Sequence, residues 1–392
     1  MKKKKIQVID LFCGAGGLSW GFAAHRGKQC EFELIGAVDF NPDSLATYRR
    51  NIECDAVVQQ DLSAIAASKS RLIDFVRSFN IDRSLPLVIV GGPPCQGFSA
   101  HSKKQRKTTD TRNGLVAAFA KIALAFDPDL IAFENVPEAM TEKNWAHFRP
   151  MVNLFRRQGF SMEAKVHNLA EYGVPQERFR ALLIASKSGT MPELVPTHDS
   201  ERFISVRQAI GHLEPVKPGE IGLDPMHFCA NHRNSTVETI KQVPRDGGSR
   251  PPGVGPKCLA KVDGYRDVYG RLAWDRPAVT VTASARNPAS GRFSHPEQDR
   301  GLTVREAALL QGFPHNFIFE GSFDEKFLQI GNAVPPRFSL CLAEAVAKFF
   351  ARTAKHIRPV EGTYQHPLPL RNSFSSAIFA YKRRGEDRYA AA

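Results

Sequence analysis

Cys95 closes the run Val88-Ile-Val-Gly-Gly-Pro-Pro-Cys95-Gln96, in which an apolar stretch (Leu87–Val90) reads as a buried strand. Two glycines end that strand. Pro93 and Pro94, with fixed φ and no N–H, then force a rigid turn. A thiol held at the carboxyl edge of a strand stands where an open α/β sheet carries its reactive groups; the plain alternative is a stiffened turn with an incidental thiol. Other chemistry-bearing residues flank other apolar runs. Glu134 follows Leu130–Phe133 and is stopped by Pro137, and Gln176-Glu-Arg178-Phe-Arg180 precedes Ala181–Ala185 with both arginines on one face at strand spacing. Gly331-Asn332-Ala-Val334-Pro-Pro336 opens a helical stretch. Singly, Glu134 reads equally well as a helix cap, and the arginines as a solvated edge or as partners of Glu177. Together they offer a nucleophile, a carboxyl group and guanidinium donors at one end of one sheet.

A second constellation points to a bound adenosine. Asp10-Leu-Phe12-Cys-Gly14-Ala15-Gly16-Gly17 follows the first apolar run, and its glycines allow a tight turn and close approach to a ligand. Asp39, ending the next run, can accept from ribose hydroxyls; Phe40 beside it can stack on adenine; Asp61, after the third run, can accept from the adenine amino group. Otherwise Asp39 caps the helix begun at Asn41-Pro42 and Phe40 is core. A nicotinamide dinucleotide and S-adenosylmethionine both remain open, with the Gly-x-Gly-Gly loop favouring the latter.

These groups need a scaffold. Strands are expected at Gln7–Phe12, Leu34–Asp39, Ala56–Gln59, Leu87–Val90, Leu130–Phe133 and Ala181–Ala185, with helices at Pro42–Asn51, Leu115–Phe126 and Trp145–Gln158 between them. That alternation predicts an α/β fold with a doubly wound, mostly parallel sheet. After about residue 186 Pro, Gly, His and Arg become dense and helical periodicity fades, as in a smaller, loop-rich second domain. Helical pattern returns at Thr303–Gln311 and Pro336–Phe350. The expected division is 1–185 with 300–350 as the catalytic and cofactor-binding domain, 186–299 as the second domain and hinge, and 351–392 as an extension with no assigned role.

The chain has 392 residues, 42% of them hydrophobic, which suffices for this division. No apolar stretch is long enough to span a membrane, and the basic start Lys2–Lys5 leads into a segment too short, and broken by Asp10, for a secretion signal. Seven scattered cysteines without a Cys-x-x-Cys pair argue against a zinc site and a disulfide framework, and for a reducing cytoplasm. A formal net charge of +13 suits a polyanionic partner.

In order and content these motifs resemble the DNA cytosine-C5 methyltransferase family. Asp10–Gly17 is similar to its first motif, Pro93–Gln96 to the catalytic motif, Glu134-Asn135-Val136 to the glutamate motif, Gln176–Arg180 to the arginine motif, and Gly331–Pro336 to the last. Arg300-Gly-Leu-Thr303-Val-Arg305-Glu306-Ala-Ala-Leu-Leu-Gln311-Gly-Phe-Pro314 resembles the motif that organises the recognition domain. The resemblance implies a class I S-adenosylmethionine methyltransferase, Rossmann-like, with residues 186–299 as target-recognition domain. It gives Cys95 the role of covalent nucleophile at cytosine C6, which makes C5 electron-rich. Glu134 would hold N3 in protonated form, Arg180 would bond O2, and Arg178 would organise Glu134 or the loop. It assigns Phe12, Gly14, Ala15, Gly16, Gly17, Asp39, Phe40, Asp61, Leu62, Gly92, Pro94, Asn332 and Val334 to the cofactor.

The target base must be rotated out of duplex DNA, at a cost of a few kcal/mol. Gln96, Ser99 and the basic segment 101–112, Arg112 included, would close over the DNA, while Arg233, Arg245 and Arg250 are candidates to reach groove edges or phosphates. A monomer is expected, serving beside a restriction endonuclease of the same specificity. Three other readings compete: a tRNA cytosine methyltransferase of the same fold, whose Cys-Phe-Thr tripeptide is lacking here; a nicotinamide-dependent oxidoreductase, supported only by the glycine loop; and a catalytically inactive, sequence-specific DNA-binding protein.

Overall fold

Alternation along the strands decides how the sheet is covered. Ile6, Val8, Val88, Val90, Leu130, Ala132, Leu182 and Ile184 belong to one buried cluster, while Ile9, Leu11, Ile89, Ile131, Phe133, Leu183 and Ala185 belong to another. Successive side chains point to opposite faces, so each central strand feeds two apolar layers and needs helices on both. The computed structural model describes residues 3–94, 114–188, 190–260 and 266–352. Cys95, Gln96, Ser99, Arg112 and the rest of the basic segment 101–112 lie outside the described residues, as does the extension beyond Arg352.

The first half runs β1 (Lys4–Leu11), α1 (Gly17–Ala24), β2 (Cys30–Asp39), α2 (Pro42–Asn51), β3 (Val57–Gln59), α3 (Leu62–Ala66), α4 (Lys69–Arg77), β4 (Leu87–Gly91), α5 (Leu115–Ala125), β5 (Leu130–Asn135), α6 (Trp145–Arg157), β6 (Ser161–Asn168) and β7 (Phe179–Ser186). These strands form a seven-stranded sheet ordered β3-β2-β1-β4-β5-β7-β6. β1 to β5 are parallel, and β7 runs antiparallel to both β5 and β6. The sheet is therefore doubly wound and mostly parallel, as the sequence predicts. Strand β6 was not expected.

Beyond the sheet come α7 (Val206–Ile210), α8 (Asn234–Lys241), α9 (Lys257–Ala260), α10 (Val304–Leu310), α11 (Phe323–Asn332) and α12 (Pro336–Arg352). Buried Phe338, Leu342, Val346 and Phe350 of α12 join the cluster on the first sheet face, beside Leu18 and Phe22 of α1. The two helices touch closely: a Cβ on Gly21 would lie 2.2 Å from the Ser339 carbonyl carbon. A third cluster gathers Val206, Ile210, Leu272, Trp274, Val281 and Phe293 with Leu302, Val304, Phe313, Phe317, Phe327 and Ile330. Residues on either side of position 299 thus share one core. A small fourth cluster of Ile240, Val243 and Tyr269 holds the loops around α8. Among the described residues no helix is long and apolar enough to cross a membrane.

Candidate active site

Four strand ends meet at the carboxyl edge of the sheet. β5 extends through Asn135, so Glu134 lies within the strand and not after it. On antiparallel β7 its direct partner is Leu182, which leaves Arg180 two residues along on the same face. The Arg180 Nε reaches Glu134 Oε1 at 3.0 Å, and both side chains are nearly buried. Across the sheet, a Cβ on Gly92 would sit 3.1 Å from Glu134 Oε2 and 3.8 Å from Val334 Cγ2. Any side chain there would crowd the space between this carboxyl and the 331–334 segment. Burial raises the Glu134 pKa above the ordinary carboxylate value, and the nearby Arg180 and Arg178 charges only partly oppose it. A carboxyl so placed retains its proton more readily than one in water.

Asn135 supplies the link to the proline turn. Its Nδ2 donates to the Pro93 carbonyl at 3.2 Å, and its Oδ1 accepts from Val136 N at 2.8 Å. The sequence placed Asn135 within a motif without giving it a job; a buried amide directly after the carboxyl was the available signal. Arg178 lies close enough for its charge to act on Glu134, and it hydrogen-bonds to backbone carbonyls. It precedes β7, is 1% exposed, and donates through Nη1 to Val281 O (2.8 Å) and through Nη2 to Gly331 O (2.9 Å). It clamps backbone segments together.

The glycine loop is fastened from beneath. Gly14 N donates to Asp39 Oδ2 at 2.9 Å, and Asn41 N donates to Asp39 Oδ1 at 3.0 Å. Each carboxylate oxygen keeps a further lone pair for a hydroxyl donor. Asn41, not Asp39, caps α2, accepting from Ser44 N. Phe40 is 63% exposed, so it is not core. Phe12 holds φ +62° and Gly16 φ +88°, and the position of a Gly14 Cβ is open space. Conversely, a Cβ on Gly17 would lie 2.2 Å from the Val334 carbonyl oxygen. Glycine at 17 lets the 331–334 segment close against the loop. Asp61 caps α3 by accepting from Ser63 N at 2.8 Å, and its carboxylate is exposed. Ala15 and Leu62 are buried in apolar clusters. Pro94 is half-buried, Val334 buried, and Asn332 exposed at the end of α11.

Of the candidate DNA-facing arginines, Arg233 and Arg245 are exposed. Arg250 is 4% exposed and donates to Val254 O at 2.7 Å, so it braces its own loop and is withdrawn from that set. Basic composition hides this distinction, because a guanidinium satisfied by carbonyls looks the same in sequence as a free one.

A family model described as C-5 cytosine-specific DNA methylase matches residues 6–348. The chain is 36% identical over 347 residues to the Type II methyltransferase M1.HphI of Haemophilus parahaemolyticus, covering 88% of this chain and 87% of that protein. It is 33% identical over 351 residues to the Type II methylase M.HgiDII of Herpetosiphon aurantiacus, covering 87% and 95%. Among solved structures, a prophage-encoded protein of E. coli described as a DNA modification methyltransferase matches with TM-score 0.65 and 23% identity, over 88% of this chain and 99% of that one. The S. pombe Dnmt2 methyltransferase matches with TM-score 0.55 and 15% identity, over 88% and 99%. At these identities the solved structures speak for the fold alone.

Proposed function

The chain belongs to the C-5 cytosine-specific DNA methylase family, and from that premise we propose that it methylates a cytosine rotated out of duplex DNA, with Cys95 as nucleophile and S-adenosylmethionine as donor. The observation that carries this reading is the buried Glu134 carboxyl, held by Arg180 at 3.0 Å under the Asn135-anchored proline turn. A ring attacked at C6 accumulates negative charge, and a carboxyl whose protonated form is favoured by burial can deliver a proton to N3 as that charge appears. Arg180, beside it on the same face, is positioned to bond O2 and exclude purines by shape. The Cys95 sulfur bonds to C6 and later departs with its electron pair as the C5 proton is lost, which restores the aromatic ring.

The residues around the glycine loop fit S-adenosylmethionine. Open space over Gly14, the exposed Phe40 ring and the Asp39 carboxylate suit a nucleoside, and Val334 packs where a larger residue at 17 would project. When bound, that group supplies an electrophilic methyl on a sulfonium. In this reading Phe12, Gly14, Ala15, Gly16, Gly17, Asp39, Phe40, Asp61, Leu62, Gly92, Pro94, Asn332 and Val334 surround the donor. Residues 186–299 present Arg233 and Arg245 to DNA, and Gln96, Ser99 and Arg112 act from the turn and the segment after it. The family match favours DNA over the RNA alternative. The Type II relatives, both bacterial, favour a cytoplasmic enzyme that protects sites cut by a restriction endonuclease.

The test is a covalent trap. Bisulfite sequencing of DNA from cells expressing the gene identifies the modified site. An oligonucleotide with 5-fluorocytosine at that site should then form a denaturant-resistant adduct with the wild-type protein and none with Cys95→Ser. A wild-type protein that methylates the site yet forms no adduct would overturn the mechanism; no recurrent methylated cytosine would overturn the substrate.

A further inference from the structure

Two buried glutamines connect parts of the molecule that the site chemistry leaves separate. Gln176 and Gln311 are both 0% exposed. Gln176 Nε2 donates to Gln311 Oε1 at 2.6 Å and to Leu310 O at 2.8 Å, and its Oε1 accepts from Val281 N at 3.0 Å. Gln311 Nε2 in turn donates to Ala333 O at 2.9 Å. One end of this relay is the stretch 278–281, which pairs with the start of the arginine motif: Ala278 N donates to Pro175 O, and Glu177 N to Ala278 O. The other end is the 331–334 segment. There a Cβ on Gly331 would meet Ala283 N at 2.1 Å, and the Val334 carbonyl stands 2.2 Å from a Gly17 Cβ position. That fit leaves little slack: a small displacement of Ala333 moves Val334 against the glycine loop.

We propose that Gln311 is a positioning residue for the methyl donor: through Gln176 on one side and the Ala333 carbonyl on the other, it sets Val334 against the glycine loop and ties that setting to residues 278–283. This deepens the proposed function and rests on its assignment of S-adenosylmethionine. The amide is suited to the task because both its ends are engaged. Methionine at 311 preserves the volume but leaves a Gln176 N–H buried without a partner and the Ala333 carbonyl with only the longer contact from Arg178 Nη2 at 3.4 Å, a costly arrangement. Loss of the Gln311 bond removes the tie that holds the 331–334 segment at its present setting against the glycine loop.

The experiment measures binding of S-adenosylmethionine by titration calorimetry to the full-length wild-type protein, Gln311→Met, Gln176→Met and the double variant, with DNA affinity measured separately in the absence of donor. Each single variant should bind the donor about tenfold more weakly. The double variant should be no weaker than the poorer single one by more than about twofold, since the two act through each other. KM for the donor should rise while kcat at saturating donor and affinity for DNA stay within about twofold of wild type. Should Gln311→Met not fold, Gln311→Asn takes its place: it keeps a polar amide but is too short to span both partners, and should show the same split. Donor binding within about twofold of wild type in these variants, or equal losses in donor binding, DNA binding and kcat, would overturn the proposal. A wild-type protein that does not bind S-adenosylmethionine would overturn the cofactor assignment and this inference with it.

Discussion

At the residue scale, equal spacing in sequence conceals unequal fates. Arg178 and Arg180 stand two apart, yet Arg180 meets the Glu134 carboxyl while Arg178 donates to the carbonyls of Val281 and Gly331. Arg180 lies within β7, whereas Arg178 lies just before it, where carbonyls of the 281 and 331 segments come within reach. Long-range backbone acceptors leave no trace in local sequence, whereas Glu134 was legible because it ends an apolar run. Burial holds the Glu134 pKa above its ordinary value. Glu134→Gln keeps shape and hydrogen bonding but cannot deliver a proton, so kcat should fall by ~10²–10⁴ with DNA affinity largely retained. Single-turnover methyl transfer to duplex DNA checks this, and a fall of less than about tenfold would remove Glu134 from proton transfer.

At the element scale, packing distances decide what the glycine loop can tolerate. Gly17 does not have a positive φ, so its requirement is steric: an added methyl would strike the Val334 carbonyl, which is backbone and cannot rotate away. Gly17→Ala should weaken donor binding by more than tenfold and destabilise the fold by about 1–3 kcal/mol, the usual range for overpacking. Thermal melts with and without S-adenosylmethionine check both effects; unchanged donor-induced stabilisation would contradict the closure of the pocket by residues 331–334. Much of the scaffold was legible at this scale. β4 and the first four residues of β5 are continuous apolar runs, and α2 begins with Asn41 as its cap and Pro42 as its first residue. Strand β6 was not legible, since Ser161–Asn168 is a sheet edge with Glu163, Lys165 and His167 among few apolar residues. Helix α7 is only five residues long, too short for a periodic signal, and is fixed by the Ser205–Gln208 capping box and tertiary contacts.

At the scale of the whole molecule, buried titratable groups outside the site set its response to acid. Burial lowers the pKa of His167 and of His295 to about 4. His295 Nδ1 already accepts from Glu297 N and Gln298 N at 3.1 and 3.0 Å, so protonation there would forfeit both bonds. The unfolded chain takes up these protons near pH 6.5 and the folded chain only near 4, so stability falls as pH drops through that window and levels off below it. By pH 5 the loss is about 2 kcal/mol per histidine. Melting temperatures between pH 7.5 and 5 should fall, and His295→Gln should flatten part of the slope; a flat wild-type profile would refute this. At lower pH Glu306 joins in. Burial opposes its ionisation, but Arg300, bonded to both carboxylate oxygens, holds its pKa down at about 2, so that contribution is present above pH 4.5 and is lost as pH falls toward 2. The seat of α12 on α1 also has a consequence for biosynthesis. The strands are all translated by Ser186, but the apolar face that α12 covers stays bare until Arg352 has been added. For that interval the nascent polypeptide carries a finished platform with an uncovered oily side, a natural client for a holding chaperone at the ribosome exit.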